Sequence, residues 1–145
     1  MIKRISHVNV FVLDQERAKA CYTQKLGFEV RNDAMLDGFR WLTVGPARQP
    51  DLAILLAYPA PPMFSPEDAE TVRALVAKGA LGGGVVGTDD CRASFAELKA
   101  RGVTFLQEPE DRPYGVEALF RDDSGNWFSL TQSKWDAAQA GQPAP

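Results

Sequence analysis

SHVNVFVLDQERAKACYTQKLGFEV, residues 6–30, and GGGVVGTDDCRASFAELKARGVTF, residues 82–105, are two passes through one pattern. Each runs as a short apolar strand, acidic and turn-forming residues, a helix of similar length, and a glycine before a second strand. Where the first copy carries His7, the only histidine in the chain, the second carries Gly83. A duplicated unit of this size does not close a core alone, so two of them are expected to share one domain.

Outward from the first copy, Ile5 to Leu13 alternates as a strand, with His7, Asn9 and Phe11 on one face and Val8, Val10 and Val12 on the other. The valine face is expected to pack under helices. Asp14 caps the next helix, whose Ala18, Cys21, Tyr22 and Leu26 recur at helical spacing before Gly27 ends it. Strands are predicted at Phe28 to Asn32, Phe39 to Val44 and Leu52 to Tyr58. YPAPPMFSP, residues 58–66, is too rich in proline for a regular helix or a central strand. After it, Ser65, Pro66 and Asp68 start a helix with an apolar stripe at Ala69, Val72, Leu75 and Val76, ending at Gly79.

The second copy repeats the order: strand Gly83 to Thr88, a cap at Asp89 or Asp90, a helix to Arg101, and strand Val103 to Gln107. Strands Val116 to Arg121 and Asn126 to Gln132 follow, joined by the turn DDSGN. The fold class is therefore α+β: two tandem β-α-β-β-β modules forming a curved eight-stranded mixed sheet around a groove, with helices outside. Module one takes 1–59, the connector and extra helix 60–80, and module two 81–135, with 136–145 a flexible tail.

Composition narrows the function. With 145 residues, 45% of them hydrophobic, the chain can bury a real core, and a net charge of -3 without a basic cluster argues against nucleic acid. No stretch is long enough to cross a bilayer. Cys21 and Cys91 have no metal-like or redox-like spacing and read as packing residues in a reducing compartment, so a cytoplasmic address is expected.

The two quoted stretches, together with RPYGVEALFRDDSGNWFSL at residues 112–130, resemble the vicinal oxygen chelate superfamily of glyoxalase I, extradiol dioxygenases, and fosfomycin and bleomycin resistance proteins. The resemblance implies paired modules enclosing a pocket, and a homodimer. It also implies a divalent metal held from the first and last strands of each module, at places that fall here on His7, Leu55, Gly83 and Ser129. Of these only histidine is a good ligand, whereas a catalytic zinc site needs about three. No metal and no cofactor are therefore expected, unless Glu117 with Asn9 rescues the site.

What remains for the groove is apolar and aromatic. Alternation places Phe11, Ala53, Leu55, Ala57, Val85, Trp127 and Ser129 inward beside His7 and Asn9, with either Trp41 or Arg40. Removing the side chain at Gly83 is expected to widen the groove next to His7. RPYG resembles a loop over the pocket, where Tyr114 would donate to a ligand and Arg112 attract an anionic one. A metal-independent small-molecule binder is the leading reading. The alternatives are a divergent metal-dependent lyase or dioxygenase, a cofactor-free enzyme using His7 with Tyr114 or Glu117, and an interaction module.

Overall fold

A computed structural model describes residues 1–135; the tail from Asp136 lies outside the described residues. The elements are β1 (His7–Phe11), α1 (Gln15–Ala20), β2 (Glu29–Leu36), β3 (Phe39–Gly45), β4 (Ala53–Ala57), α2 (Pro66–Ala77), β5 (Gly82–Gly87), α3 (Cys91–Ala100), β6 (Thr104–Arg112), β7 (Gly115–Arg121) and β8 (Trp127–Ser133). All eight expected strands are present. They are hydrogen-bonded as two four-stranded mixed sheets, β1-β4-β3-β2 and β5-β8-β7-β6, where one curved sheet of eight was expected. The chain packs as two compact units, one of Met1–Leu81 with Asp122–Asn126 and the other of Gly82–Arg121 with the residues from Trp127. Among the described residues, no helix is long and apolar enough to cross a membrane.

In the first unit, α1 lies on β3 and β4. Val10, Val12, Leu42, Val44 and Leu56 are buried together with Ala18, Cys21 and Tyr22 of the helical segment. The inward valines are thus Val10 and Val12, while Val8 at the strand's start stays 40% exposed. Asp14 caps α1 by accepting from the Arg17 amide at 2.9 Å. The helix continues as a π-helical turn over Cys21–Lys25, closed by Leu26 N–H donating to the Cys21 carbonyl. The interval from cap to terminal glycine is one residue longer here than from Asp90 to Gly102, and the wide turn absorbs the surplus. Ser65 caps α2 through the Asp68 amide at 3.1 Å.

In the second unit, Asp90, of the two candidates, caps α3 through the Ala93 amide at 3.0 Å. Phe95, Phe105, Phe120 and Phe128 form a continuous aromatic core, with successive ring centroids 4.6, 5.8 and 5.4 Å apart. Strand β6 runs five residues past its expected end at Gln107, through Pro109, because it is the edge of its sheet and the missing N–H costs no ladder bond. Strand β2 likewise runs on to Leu36, where Asp37 and Gly38 adopt positive φ values of 51° and 79° and close a tight hairpin. Cys21 and Cys91 are free and buried, and burial pushes the Cys21 thiol up to about 11.

The turn between β7 and β8 belongs to the first unit and is built on Asp122. Its buried carboxylate accepts the amides of Ser124, Gly125 and Asn126 on one oxygen, each at 2.9 Å. The other oxygen accepts the Tyr22 hydroxyl at 2.8 Å and the Asn126 side-chain amide at 2.9 Å. Asn126 Nδ2 also donates to the Phe11 carbonyl at 2.7 Å, and the Leu13 amide donates to Ser124 Oγ at 2.9 Å. Burying a carboxylate is tolerable only with such a complete set of donors.

Tyr22→Phe removes one of these donors while keeping the packed ring. It should lower unfolding stability by about 1.5–3 kcal/mol, read as a lower urea midpoint at unchanged slope. Neighbouring Asp123 behaves oppositely. Burial, followed by the Asp122 charge, pushes its carboxyl from 3.8 up to about 6, and its Oδ1 is buried without a hydrogen-bond partner. A pKa raised by folding favours the fold below the unfolded value, and that contribution is lost as pH rises through the folded value. Asp123→Asn should therefore stabilise the protein by on the order of 1–2 kcal/mol at about pH 8, allowing for solvent screening, and by little at about pH 3.5. Thermal melts at the two pH values test this, and an equal shift at both would contradict it.

Candidate functional site

The open strand faces of the two units carry the candidate residues. In the first unit, the parallel β1–β4 register sets His7 beside Ala53, Asn9 beside Leu55 and Phe11 beside Ala57. Leu55 also faces Thr43 of β3. Two-residue alternation then puts Trp41, not Arg40, on the His7 face. The His7 and Trp41 rings are in contact, with centroids 5.4 Å apart. Arg40 is turned away and forms ion pairs with Asp33 at 2.9 Å and with Glu16. His7 and Asn9 are exposed, whereas Ala53, Leu55 and Ala57 are buried and form the floor. Phe64 of the proline-rich connector packs edge-on against Phe11 at 5.3 Å. That contact had no signal in the sequence, because the connector has no period from which to infer a facing.

In the second unit, Ser129 lies between Val85 of β5 and Leu119 of β7, and Thr131 lies beside Glu117. Glu117 therefore shares a face with Ser129. Its carboxylate accepts the Ser129 hydroxyl at 2.7 Å and the Tyr114 hydroxyl at 2.8 Å. Arg112 Nε stands 3.7 Å away, and Thr131 Oγ1 is 2.6 Å from Ser129 Oγ. Gln107 donates to the Glu117 carbonyl and accepts from Arg112, which also pairs with Glu110 at 3.0 Å. The hydrogen bond to Glu117 holds the proton on Tyr114 and raises its pKa. Tyr114, Glu117 and Ser129, singled out separately in the sequence, are thus one hydrogen-bonded group. Thr131 was within reach of the same alternation, two residues past Ser129. Gln107 and Glu110 were not, because their register with β7 is shifted by bulges.

Two expectations are corrected. RPYG is a tight hairpin, not an open loop: Arg112 and Gly115 are paired across a two-residue turn of Pro113 and Tyr114, and the tyrosine hydroxyl is turned to Glu117 on the following strand. Gly115 has a φ of 147°, and a Cβ there would sit 1.9 Å from the Gln132 carbonyl oxygen, so only glycine fits. Nor does Gly83 open space beside the groove. It is the extra residue of a bulge between Gly82 and Gly84, and a Cβ on it would lie 2.1 Å from the buried Phe128 ring. Its bareness serves the aromatic core. Gly82 is the position paired with Trp127, and a Cβ there would come within 2.7 Å of the indole, which therefore lies on bare backbone.

The donor set does not fit a resident metal ion. Leu55 is apolar and buried, Gly83 has no side chain, and the Ser129 hydroxyl is committed to Glu117. Among the described residues, no three His, Cys, Asp or Glu side chains converge closely enough to hold one. A separate depression of about 420 Å³ lies along α2 between Glu67, Glu70, Thr71, Ala74, Leu75 and Lys78. It is a shallow charged surface sharing no residue with the strand-borne candidates.

Known proteins agree with this architecture. The chain is similar to UcmS2, whose crystal structure matches with a TM-score of 0.87 at 53% identity, over 92% of this chain and 100% of that one. It is similar to TnmS3, an antibiotic binding protein from Streptomyces sp. CB03234, with a TM-score of 0.73 at 32% identity, over 92% and 98% of the two chains. It is also 32% identical over 133 residues to the uncharacterised protein YetH of Bacillus subtilis (strain 168), covering 91% of this chain and 100% of that protein. The profile of the Glyoxalase/Bleomycin resistance protein/Dioxygenase superfamily matches residues 4–130, and with the paired strand–helix modules this places the chain in that superfamily.

Proposed function

We propose that this protein binds a small, partly aromatic molecule on its tryptophan-bearing strand faces and holds it intact, without a resident metal ion. The observation that carries the reading is the donor set, in which the places expected to ligate a metal hold one histidine, one leucine, one glycine and one committed serine. Trp41 against His7, and Trp127 lying on Gly82 with 40% of its surface exposed, supply the aromatic contacts. Similarity to an antibiotic binding protein at 32% identity supports the same class of ligand. We further propose a homodimer, which the exposed Val8, Val85 and Leu106 support, and a cytoplasmic address, which the two free cysteines support.

A thermal-shift screen of planar aromatic antibiotics and metabolites tests the binding reading. A ligand at about a hundred times its Kd should raise the melting temperature by roughly 5–10 °C and be recovered unchanged by mass spectrometry. Conversion of the ligand, abolished by Glu117→Gln or His7→Ala, would instead favour the cofactor-free enzyme that the Tyr114–Glu117 contact also allows.

Metal analysis tests the other clause. Protein purified without chelator or histidine tag should carry well under one equivalent of any divalent ion. Stoichiometric metal that is lost in His7→Ala would overturn the metal-free reading.

A further inference from the structure

We propose that the Glu117 face of the second unit reads hydrogen-bond donors: it takes an aromatic ligand bearing a hydroxyl or N–H group and discriminates against the same ring carrying only an acceptor. This rests on the small-molecule reading above and adds to it the chemistry of the bound group.

Proton direction carries the inference. A carboxylate offers lone pairs and no proton, so every hydroxyl in contact with it must donate. Tyr114 therefore donates to one Glu117 oxygen at 2.8 Å and Ser129 to the other at 2.7 Å. With the Ser129 proton spent in this way, the 2.6 Å contact between Ser129 and Thr131 is made by the Thr131 hydroxyl donating to Ser129 Oγ. Two of the three hydroxyl protons go to the carboxylate and the third to Ser129 Oγ. The group is left presenting lone pairs.

Arg112 flanks the group as a cation: its Nη2 is engaged by Gln107 at 3.1 Å and Glu110 at 3.0 Å, and its Nε forms an ion pair with Glu117 at 3.7 Å, longer than a hydrogen bond, so it takes up no carboxylate lone pair directly. The Glu117 side chain keeps 17% of its surface exposed, and each of its oxygens has taken only one hydroxyl. Both retain capacity for another donor.

Trp127 supplies the platform. It stands on the same face two residues before Ser129, roughly 7 Å along the strand. Its indole rests on the bare backbone of Gly82. Glu117 lies across β8 from Gly82, paired with Thr131, and only its carboxylate comes back to the Ser129 hydroxyl at 2.7 Å, so a bicyclic ring has to reach from the indole past Ser129. A hydroxyl at its far end meets a lone pair, whereas an ether oxygen at the same place sets acceptor against acceptor. Sites built to hydrogen-bond a ligand group reject the analogue that lacks it, because their own polar atoms are then left unpaired.

Isothermal titration at neutral pH with 2-naphthol and 2-methoxynaphthalene tests the inference. The naphthol should bind about tenfold more tightly. Glu117→Gln puts an amide donor among the acceptors and should reduce that preference to about twofold or less. Tyr114→Phe frees a further carboxylate lone pair, and the preference should persist or grow. Equal affinity of the two probes, a naphthol advantage that survives in folded Glu117→Gln, or its loss in Tyr114→Phe would each overturn the inference. Should Glu117→Gln fail to fold, the Tyr114→Phe result decides. Failure of both probes to bind also counts against it, while the broader binding reading stands or falls on the antibiotic screen.

Discussion

The buried carboxylate of Asp122 is the constraint to which the first unit is tied. Five hydrogen bonds converge on it: three from successive amides of its own turn, one from Asn126 and one from Tyr22. Through Tyr22 it reaches the helical segment that covers the sheet, and through Asn126 and Ser124 the turn reaches the end of β1. Helix, strand and turn therefore share one electrostatic anchor. It ties down the end of the strand on which His7 lies.

The strand faces of the two units differ. In the first unit, a histidine and a tryptophan touch above a floor of small and aliphatic side chains. In the second, the position paired with the tryptophan is a glycine, and the polar character has moved to a carboxylate on the neighbouring strand. The glycines follow two separate logics, Gly82 beneath an indole and Gly83 beside a core phenylalanine.

Much of the fold was legible in the sequence because local chemistry decided it. Asp14, Ser65 and Asp90 cap helices where capping chemistry predicts, apolar alternation located the first strand, and the internal repeat located its counterpart β5. What sequence could not resolve depended on register. Trp41 and Arg40 were indistinguishable until the pairing of Thr43 with Leu55 fixed which of them shares a face with His7. A bulge turned Gly83 to the opposite side from the one that simple alternation gives it. Glu117, Tyr114 and Ser129 were each visible as candidates, yet their union depends on a hairpin turn two residues long, which a resemblance to longer loops concealed.

Gly115 shows how such a surface can diversify. Its backbone conformation and the carbonyl 1.9 Å from any added Cβ freeze the residue itself. The adjoining Tyr114 is half-exposed; its carbonyl accepts the Lys134 amide at 2.9 Å, and its side chain is held through the hydroxyl to Glu117. A substitution at Gly115 therefore disturbs the bend itself, whereas one at Tyr114 alters the side chain beside Glu117 and leaves the backbone of the turn in place.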